Sequence, residues 1–294
     1  MKTVLVVGAT GAQGGSVASH LLANGGTAVR ALTRNPQSPA AMQLFARGAE
    51  VVQGDLDDRS SLRAALKGVD AVFGVTSYWE HFEKEAEHGR NLINAVAGAE
   101  VEHFVFSSLP SVEKWSHGEL KSPHFDLKYE LEEYTRSLGI PSTFVHVAFY
   151  FENLLTFFPP QKNGDGTYHF GFNQGEVPLA GVAVEDVGGV VSEIFSRPEE
   201  FLGKTVAIVG DQKAPADYAA AMSRASGKTI KYDYIPRDVF ARFPFKGADD
   251  LADMFEFYRR RYPDRRNDIE RSRDLYPNMK TFEQWIWTRA DRLP

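Results

Sequence analysis

The chain has 294 residues, of which 43% are hydrophobic and 24% are charged, as is ordinary for a globular protein. It contains no cysteine, which excludes disulfides, thiolate catalysis and zinc–thiolate sites, and no metal site is predicted. A formal net charge of -6 argues against direct nucleic-acid binding. No apolar run is long enough to span a bilayer, and an apolar strand directly after Met1 leaves no room for a signal peptide. We therefore expect a soluble cytoplasmic protein, with the nucleus as a second location.

The first fifteen residues carry the most informative pattern. The apolar run Val4–Val7 predicts a strand buried on both faces, and a glycine-rich turn and helical spacing from Ser16 follow it. Gly8 allows a tight turn, Gly11 allows the backbone to approach a pyrophosphate, and Gly14 allows the helix to pack close to the strand. The N–H groups of the helix N-terminus would bind the phosphates. Strand, turn and helix in this order favour a dinucleotide-binding unit over a turn without a ligand.

Strands and helices alternate along the first half of the chain. Further strands are predicted at 27–33, 49–53, 70–76, 103–108 and 143–150, and helices at 40–47, 60–67, 81–97 and 126–138. This alternation predicts βαβ units in a parallel, doubly wound sheet. The polar segment from Leu109 to Pro123 interrupts it and is expected to be a mobile loop.

The character of the sequence changes near residue 157, where Pro159-Pro160 and a turn at 163–167 indicate a domain boundary. We predict an NAD(P)-binding domain in residues 1–156, to which a segment at about 183–210 returns, and a smaller domain in 157–294. The predicted fold class is α/β: a Rossmann-type doubly wound parallel sheet with a smaller α+β C-terminal domain.

Arg34 indicates which dinucleotide is bound. In NAD-binding folds the second strand commonly ends in Asp or Glu, which accepts a hydrogen bond from the ribose 2′-OH. Here that strand ends in Leu-Thr-Arg-Asn, and a guanidinium can bind a 2′-phosphate through paired donors. The sequence thus favours NADP(H) over NAD(H); the alternative is an exposed arginine without this role.

Seven short segments stand in a distinctive order along the chain. They are Gly-Ala-Thr-Gly-Ala-Gln-Gly-Gly at 8–15, Leu-Thr-Arg-Asn-Pro at 32–36, Val-Val-Gln-Gly-Asp-Leu-Asp-Asp at 51–58, Val-Thr-Ser-Tyr-Trp-Glu at 75–80, Tyr-Phe-Glu-Asn-Leu-Leu at 150–155, Gly-Glu-Val-Pro-Leu-Ala-Gly at 175–181 and Leu-Ala-Asp-Met-Phe-Glu-Phe-Tyr at 251–258. Together they resemble the NmrA-like family of atypical short-chain dehydrogenase/reductase-type proteins. The last two are similar to the branch that contains the animal NmrA-like redox-sensor proteins.

The resemblance implies a Rossmann domain that holds NADP(H), a smaller domain and a cleft between them. By matching motif it implies a set of cofactor-binding residues: Gly8, Thr10, Gly11, Ala12, Gln13 and Gly14 at the pyrophosphate, Arg34 at the 2′-phosphate, Asp55 and Leu56 at the adenine, Thr76 at the ribose, and Lys128, Tyr150, Phe151, Glu152 and Asn153 at the nicotinamide end. The chain departs from close relatives, which carry lysines where it has Gln37, Ser38, Pro39 and His88. The alternative is a weaker contact with the 2′-phosphate and only a modest preference for NADP(H) over NAD(H).

The residues leave the question of catalysis open. Reductases of the wider superfamily use Tyr-x-x-x-Lys on a helix, where the lysine lowers the pKa of a tyrosine that passes a proton to the substrate. The corresponding stretch reads His124-Phe-Asp-Leu-Lys128, so the lysine stands without its tyrosine. Lys128 either binds the nicotinamide ribose, serves as a lone catalytic proton donor as in the related isoflavone-reductase-like enzymes, or is simply solvated. Ser107 and Ser108 are interpreted as turn residues or cofactor contacts.

The resemblance favours a redox sensor that regulates transcription, rather than an enzyme. Dinucleotide occupancy would order the loop at 109–123 and change the surface offered to a protein partner. The alternative is an NADPH-dependent reductase of a quinone or similar carbonyl compound, with Lys128 as its catalytic group. A homodimer or another protein partner is expected.

Overall fold

A computed structural model describes all residues from 1 to 294. Its strands are β1 (Lys2–Val6), β2 (Thr27–Thr33), β3 (Glu50–Gln53), β4 (Ala71–Gly74), β5 (His103–Ser108), β6 (Ser142–Val147), β7 (Phe149–Tyr150), β8 (Gln161–Lys162), β9 (Tyr168–Phe172), β10 (Leu179–Val182), β11 (Thr205–Ile208), β12 (Asp211–Lys213) and β13 (Ile230–Tyr234).

The helices are α1 (Ala12–Asn24), α2 (Pro39–Ala46), α3 (Arg59–Ala65), α4 (Tyr78–His81), α5 (Glu85–Ala97), α6 (Val112–Trp115), α7 (Pro123–Ser137), α8 (Asn153–Thr156), α9 (Val184–Ser196), α10 (Pro198–Phe201), α11 (Pro215–Ser226), α12 (Arg237–Phe240), α13 (Ala248–Arg261), α14 (Arg266–Leu275) and α15 (Phe282–Trp287). Short 3₁₀ turns lie at Phe82–Lys84 and Ala290–Arg292. None of these helices has both the length and the apolar composition that crossing a membrane needs.

Seven strands form one sheet in the order β11-β6-β5-β4-β1-β2-β3. The pairs that join β1 to β2 and β4, β2 to β3, and β5 to β4 and β6 are all parallel. Every residue of β4 and β5 is buried, because crossover helices cover both faces of a parallel sheet. The predicted Rossmann-type doubly wound fold is therefore confirmed, and the strand order reverses beside β1.

The chain divides into two compact units. The first comprises Met1–Pro110, Leu127–Val147 and Val184–Ala207 and carries this large sheet; the second comprises Ser111–Asp126, Ala148–Ala183 and Ile208–Pro294. Two three-stranded sheets, β12-β10-β7 and β13-β9-β8, lie in the second unit. Its core is aromatic: the rings of Phe172 and Phe255 stack with their centroids 4.5 Å apart.

Two elements differ from the sequence prediction. The strand predicted at 143–150 is two strands: β6 belongs to the large sheet, whereas β7 pairs with β10 in another sheet. The segment at 109–123, predicted as a mobile loop, contains α6. The Asp126 carboxylate accepts hydrogen bonds from Ser111 Oγ at 2.8 Å, Glu113 N at 2.9 Å and Ser122 N at 3.0 Å. One half-buried carboxylate thus accepts hydrogen bonds from three donors of a segment whose polar composition indicated a loop.

Helices α1 and α9 pack in close contact in the first unit. Ser16 Oγ donates to the Glu185 carbonyl at 2.6 Å and accepts from Gly188 N at 2.9 Å. A Cβ atom added at Gly188 would lie 2.2 Å from the Ser16 carbonyl oxygen, which is nearer than any side chain can stand. The interface therefore requires glycine at position 188.

A buried carboxylate joins β5, β6 and α7. Glu132 Oε2 accepts from Ser108 Oγ at 2.5 Å and lies 3.0 Å from His146 Nε2, while Oε1 accepts from Arg136 Nη2 at 2.8 Å. Burial alone would raise the pKa of Glu132, but the hydrogen bond and charge of His146, with Ser108 and Arg136, lower it to about 2. Ser108 therefore has a structural partner in α7.

We expect Gly188→Ala to lower the free energy of unfolding by about 1–3 kcal/mol, because the added methyl group overpacks two backbones that are already in close contact. Gly164→Ala is the matched control, since an added Cβ there meets nothing within 4 Å. Urea unfolding of both variants measures the difference. Equal stability of the two variants would contradict the tight contact between α1 and α9.

A second prediction concerns acid stability. The pKa of Glu132 is lower in the folded state than its unfolded value of about 4.5. The ionised carboxylate therefore stabilises the fold at pH values above about 4.5, and this stabilisation is lost as the pH falls towards 2. The contribution is about 3 kcal/mol. Glu132→Gln should therefore flatten the dependence of unfolding free energy on pH between about 5 and 2. Glu133→Gln, half-exposed on the same helix, should leave the slope unchanged.

Candidate functional site

The turn between β1 and α1 forms a backbone cradle. Gly8 has a φ of 65°, which favours glycine, and Gly11 N donates to the Gly8 carbonyl at 2.8 Å. A Cβ added at Gly14 would lie 2.3 Å from the Gly8 carbonyl oxygen, so only glycine lets α1 start this close to the strand. No side chain caps the first turn of α1. These residues fit a diphosphate, because the backbone N–H groups at the start of α1 have no side-chain cap.

Three of the predicted residues of the first unit follow the carboxyl ends of its parallel strands. Arg34 comes directly after β2, Asp55 follows β3 after one residue, and Thr76 follows β4 after one residue. Because these strands run in the same direction, their carboxyl ends share one edge of the sheet, here called the carboxyl edge. The turn after β1 and the segment after β4 are neighbours, since a Cβ at Gly8 would lie 3.1 Å from Val75 Cγ1.

The Arg34 guanidinium is paired with a carboxylate that the sequence analysis did not single out. Arg34 Nη2 lies 3.5 Å from Glu80 Oε2, and both side chains are about 60% exposed, at 61% and 62%. An exposed pair of this kind is weak, so another anion can replace the carboxylate. The departures that follow Arg34 have a local explanation: Ser38 Oγ accepts from Ala41 N at 3.3 Å and Pro39 is the first residue of α2. They begin a helix instead of supplying cations.

The loop after β3 is fixed by its own hydrogen bonds. Asp55 Oδ1 accepts from Asp57 N at 3.0 Å, and the Leu56 carbonyl accepts from Asn91 Nδ2 at 2.9 Å. His88 is buried and its Nε2 lies 2.9 Å from Asp57 Oδ1. This hydrogen bond, with one from Lys84, lowers the pKa of Asp57. His88 therefore supports the loop that carries Asp55 and Leu56, the residues predicted to flank the adenine.

Lys128 is not a solvated lysine, since only 12% of its side chain is exposed. Its Nζ donates to the Thr76 carbonyl and to Thr76 Oγ1, both at 3.0 Å, and forms an ion pair with Glu85 Oε1. Thr76 Oγ1 in turn donates to the same carboxylate oxygen at 2.5 Å. The three N–H groups of the ammonium thus have three acceptors within the chain.

Glu85 is the site residue that the sequence analysis missed. Its side chain is fully buried, and Oε2 has no hydrogen-bond partner. A signal was present: Glu85 is the first residue of α5 and shares helical spacing with buried His88, Gly89 and Leu92. An acidic residue on the buried stripe of a helix needs a cation, and Lys128 supplies it.

His124, which stands at the spacing of the missing tyrosine, belongs to a hydrogen-bonded group in the second unit. Its Nδ1 lies 2.6 Å from Asp250 Oδ1, and Ser122 Oγ donates to the same oxygen at 2.5 Å. In a nucleophilic serine site the hydroxyl would bond to the histidine ring nitrogen opposite the aspartate. Here serine and histidine share one carboxylate oxygen, so the group anchors the start of α7 rather than activating a nucleophile.

The remaining predicted residues lie in the second unit. The Phe151 side chain is fully buried against Phe282 and Trp285, at centroid distances of 5.1 and 5.6 Å. Glu152 Oε1 accepts from Trp285 Nε1 at 3.1 Å, Tyr150 ends β7, and Asn153 begins α8. These contacts explain the fold of the segment, and its part in a cofactor site stays a prediction.

Comparison with known proteins relates this chain to one protein family. Residues 1–286 match the NmrA-like family. The chain is 32% identical over 280 residues to an NmrA-like family domain-containing oxidoreductase, FrzB of Cladobotryum sp, with 86% of this chain and 83% of FrzB covered.

Solved structures agree with this match. NmrA, a negative transcriptional regulator in complex with NAD, has a TM-score of 0.83 at 25% identity, covering 97% of this chain and 94% of NmrA. The NADPH-dependent quinone oxidoreductase QOR2 of Escherichia coli, complexed with NADPH, has a TM-score of 0.81 at 25% identity, covering 97% and 99%. Because the family match extends over nearly the whole chain, the protein belongs to the NmrA-like family.

Proposed function

We propose that this protein binds NADP(H) and acts as a redox sensor or regulator rather than as a carbonyl reductase. The observation that carries the proposal is the set of hydrogen bonds that Lys128 makes within the chain. All three N–H groups of its ammonium have acceptors in Thr76 and Glu85, and His124 replaces the expected tyrosine. A group without a free donor is a poor source of the proton that carbonyl reduction needs.

Binding of the dinucleotide is supported by the turn at Gly8–Gly14 and by similar proteins, since NmrA was solved with NAD and QOR2 with NADPH. The residues that would hold it are the backbone amides of that turn at the diphosphate and Arg34 at a 2′-phosphate. Bound NADPH supplies a hydride, and in a sensor the oxidised and reduced forms instead report the redox state of the cell. A regulator then needs a surface that differs between the bound forms.

A second candidate is an NADPH-dependent reductase of quinones. Two similar proteins favour it, because FrzB is named an oxidoreductase and QOR2 a quinone oxidoreductase. Quinone reduction does not require the tyrosine that this chain lacks. In that case Lys128, which donates to Thr76 at the carboxyl edge, is the proposed catalytic group.

The dinucleotide preference can be tested with a pair of variants. Arg34→Ala should lower the affinity for NADPH by about tenfold or more and leave the affinity for NADH nearly unchanged, because only NADPH carries the 2′-phosphate. Glu80→Gln should raise the affinity for NADPH by about two- to fivefold, since the phosphate no longer competes with an exposed carboxylate for Arg34. Calorimetric titration of all four nicotinamide nucleotides measures both effects.

Arg63→Ala is the control for this experiment. It removes the same charge from an exposed position in the last turn of α3, away from the carboxyl edge. Equal losses of NADPH and NADH affinity in Arg34→Ala would refute the role of Arg34 in selecting NADP(H).

Turnover separates the two candidate functions. With NADPH and a panel of quinones, aldehydes and ketones, a sensor should show no protein-dependent loss of NADPH absorbance. It should instead show amide hydrogen exchange at residues 109–123 that differs between the NADP⁺ and NADPH complexes. Turnover that is abolished in Lys128→Ala would overturn the sensor proposal and establish the reductase.

A further inference from the structure

We infer that Glu85 offsets the positive charge of Lys128 beside the nicotinamide ring, so that neither charge alone biases the ratio of affinities for oxidised and reduced dinucleotide. This inference rests on the proposed dinucleotide-binding function and deepens it. Neither residue is assigned this role by the family match.

The strand order places the pair on the side of the site that faces away from Arg34. Within the sheet, β1 lies between β2 and β4, and the turn after β1 is the proposed diphosphate site. Arg34, after β2, takes the adenosine half, so the other nucleotide extends towards the end of β4. Thr76 follows β4, and its carbonyl and hydroxyl oxygens both accept from Lys128 Nζ at 3.0 Å. Lys128 and Glu85 therefore lie on the nicotinamide side.

The two redox forms of the ligand differ there by one charge. The nicotinamide ring is positive in NADP⁺ and neutral in NADPH, whereas the phosphates are the same in both. A fixed charge near the ring thus changes the ratio of the two affinities, and distant charges hardly do. Screening is weak, because Lys128 is 12% exposed and Glu85 is fully buried. With both present, their opposite effects on the ring largely cancel.

The bonding of Glu85 supports a role beyond stability. Its Oε1 accepts from both Lys128 and Thr76, while its buried Oε2 has no partner. A buried acceptor without a donor destabilises a fold by about 1–3 kcal/mol. A carboxylate that served only to hold Lys128 would gain from a second donor. The open oxygen is explained if the negative charge itself has a function towards a bound cationic ring.

The experiment measures dissociation constants for NADP⁺ and NADPH on the same protein preparation. Glu85→Gln leaves the ammonium uncompensated and should weaken NADP⁺ relative to NADPH by about tenfold. Lys128→Gln leaves the carboxylate uncompensated and should shift the same ratio about tenfold in the other direction. The double variant should return close to the wild-type ratio. A lost hydrogen bond to the ribose weakens both forms alike and does not enter the ratio.

Glu102→Gln is the matched control. It also removes one negative charge from the first unit, but Glu102 is 61% exposed and pairs with Lys2 at the opposite edge of the sheet, so the ratio should not change. A fraction of inactive protein affects both titrations alike and so does not change the ratio of the two dissociation constants. If one single variant fails to fold, the direction in which the other variant shifts this ratio tests the inference.

Opposite shifts in the two single variants support the inference. An unchanged ratio, or shifts in the same direction, overturns it while leaving dinucleotide binding intact. Wild-type protein that binds neither form overturns the proposed function itself.

Discussion

The contact between the turn after β1 and the start of α1 is the constraint on which the first unit depends. Because Gly14 has no Cβ, the helix begins within van der Waals distance of the Gly8 carbonyl oxygen. This places α1 against the sheet, where its Ser16 backbone meets Gly188 of α9 at an equally short distance. Two glycines far apart in the sequence therefore determine how one crossover helix and one returning helix pack. A bulkier residue at either position would move α1 and with it the amides at its N-terminus.

Two buried carboxylates of the first unit show how local bonding separates a structural role from a candidate functional one. Glu132 has a hydroxyl, a histidine and an arginine as partners, and both of its oxygens are satisfied. Glu85 likewise has a hydroxyl and a cation, but both act on a single oxygen. The first arrangement is complete without a ligand. The second leaves an acceptor open beside the residue that was predicted to meet the cofactor.

Much of the first unit could be predicted from the sequence, because its signals are local. Buried parallel strands such as β4 and β5 read as continuous apolar runs, and the glycine turn lies within eight residues. What could not be predicted depends on residues far apart: Glu85 and Lys128 are separated by 43 positions, and Ser122 and Asp250 by 128. The division of 143–150 into β6 and β7 was also missed, since periodicity reports that a strand exists and not which sheet it joins.

Selection of the phosphorylated cofactor and selection of its redox form are separate physical problems. A ligand shifts an equilibrium only through interactions that differ between its alternatives. NADP⁺ and NADPH carry the same 2′-phosphate, so Arg34 and Glu80 cannot distinguish them. NADPH and NADH have the same reduced nicotinamide ring, so a charge beside that ring cannot distinguish these two dinucleotides. In the binding mode proposed above, the first problem belongs to the end of β2 and the second to the end of β4. In that binding mode a charge that discriminates the redox forms would lie near Thr76, where this chain places one cation and one compensating carboxylate.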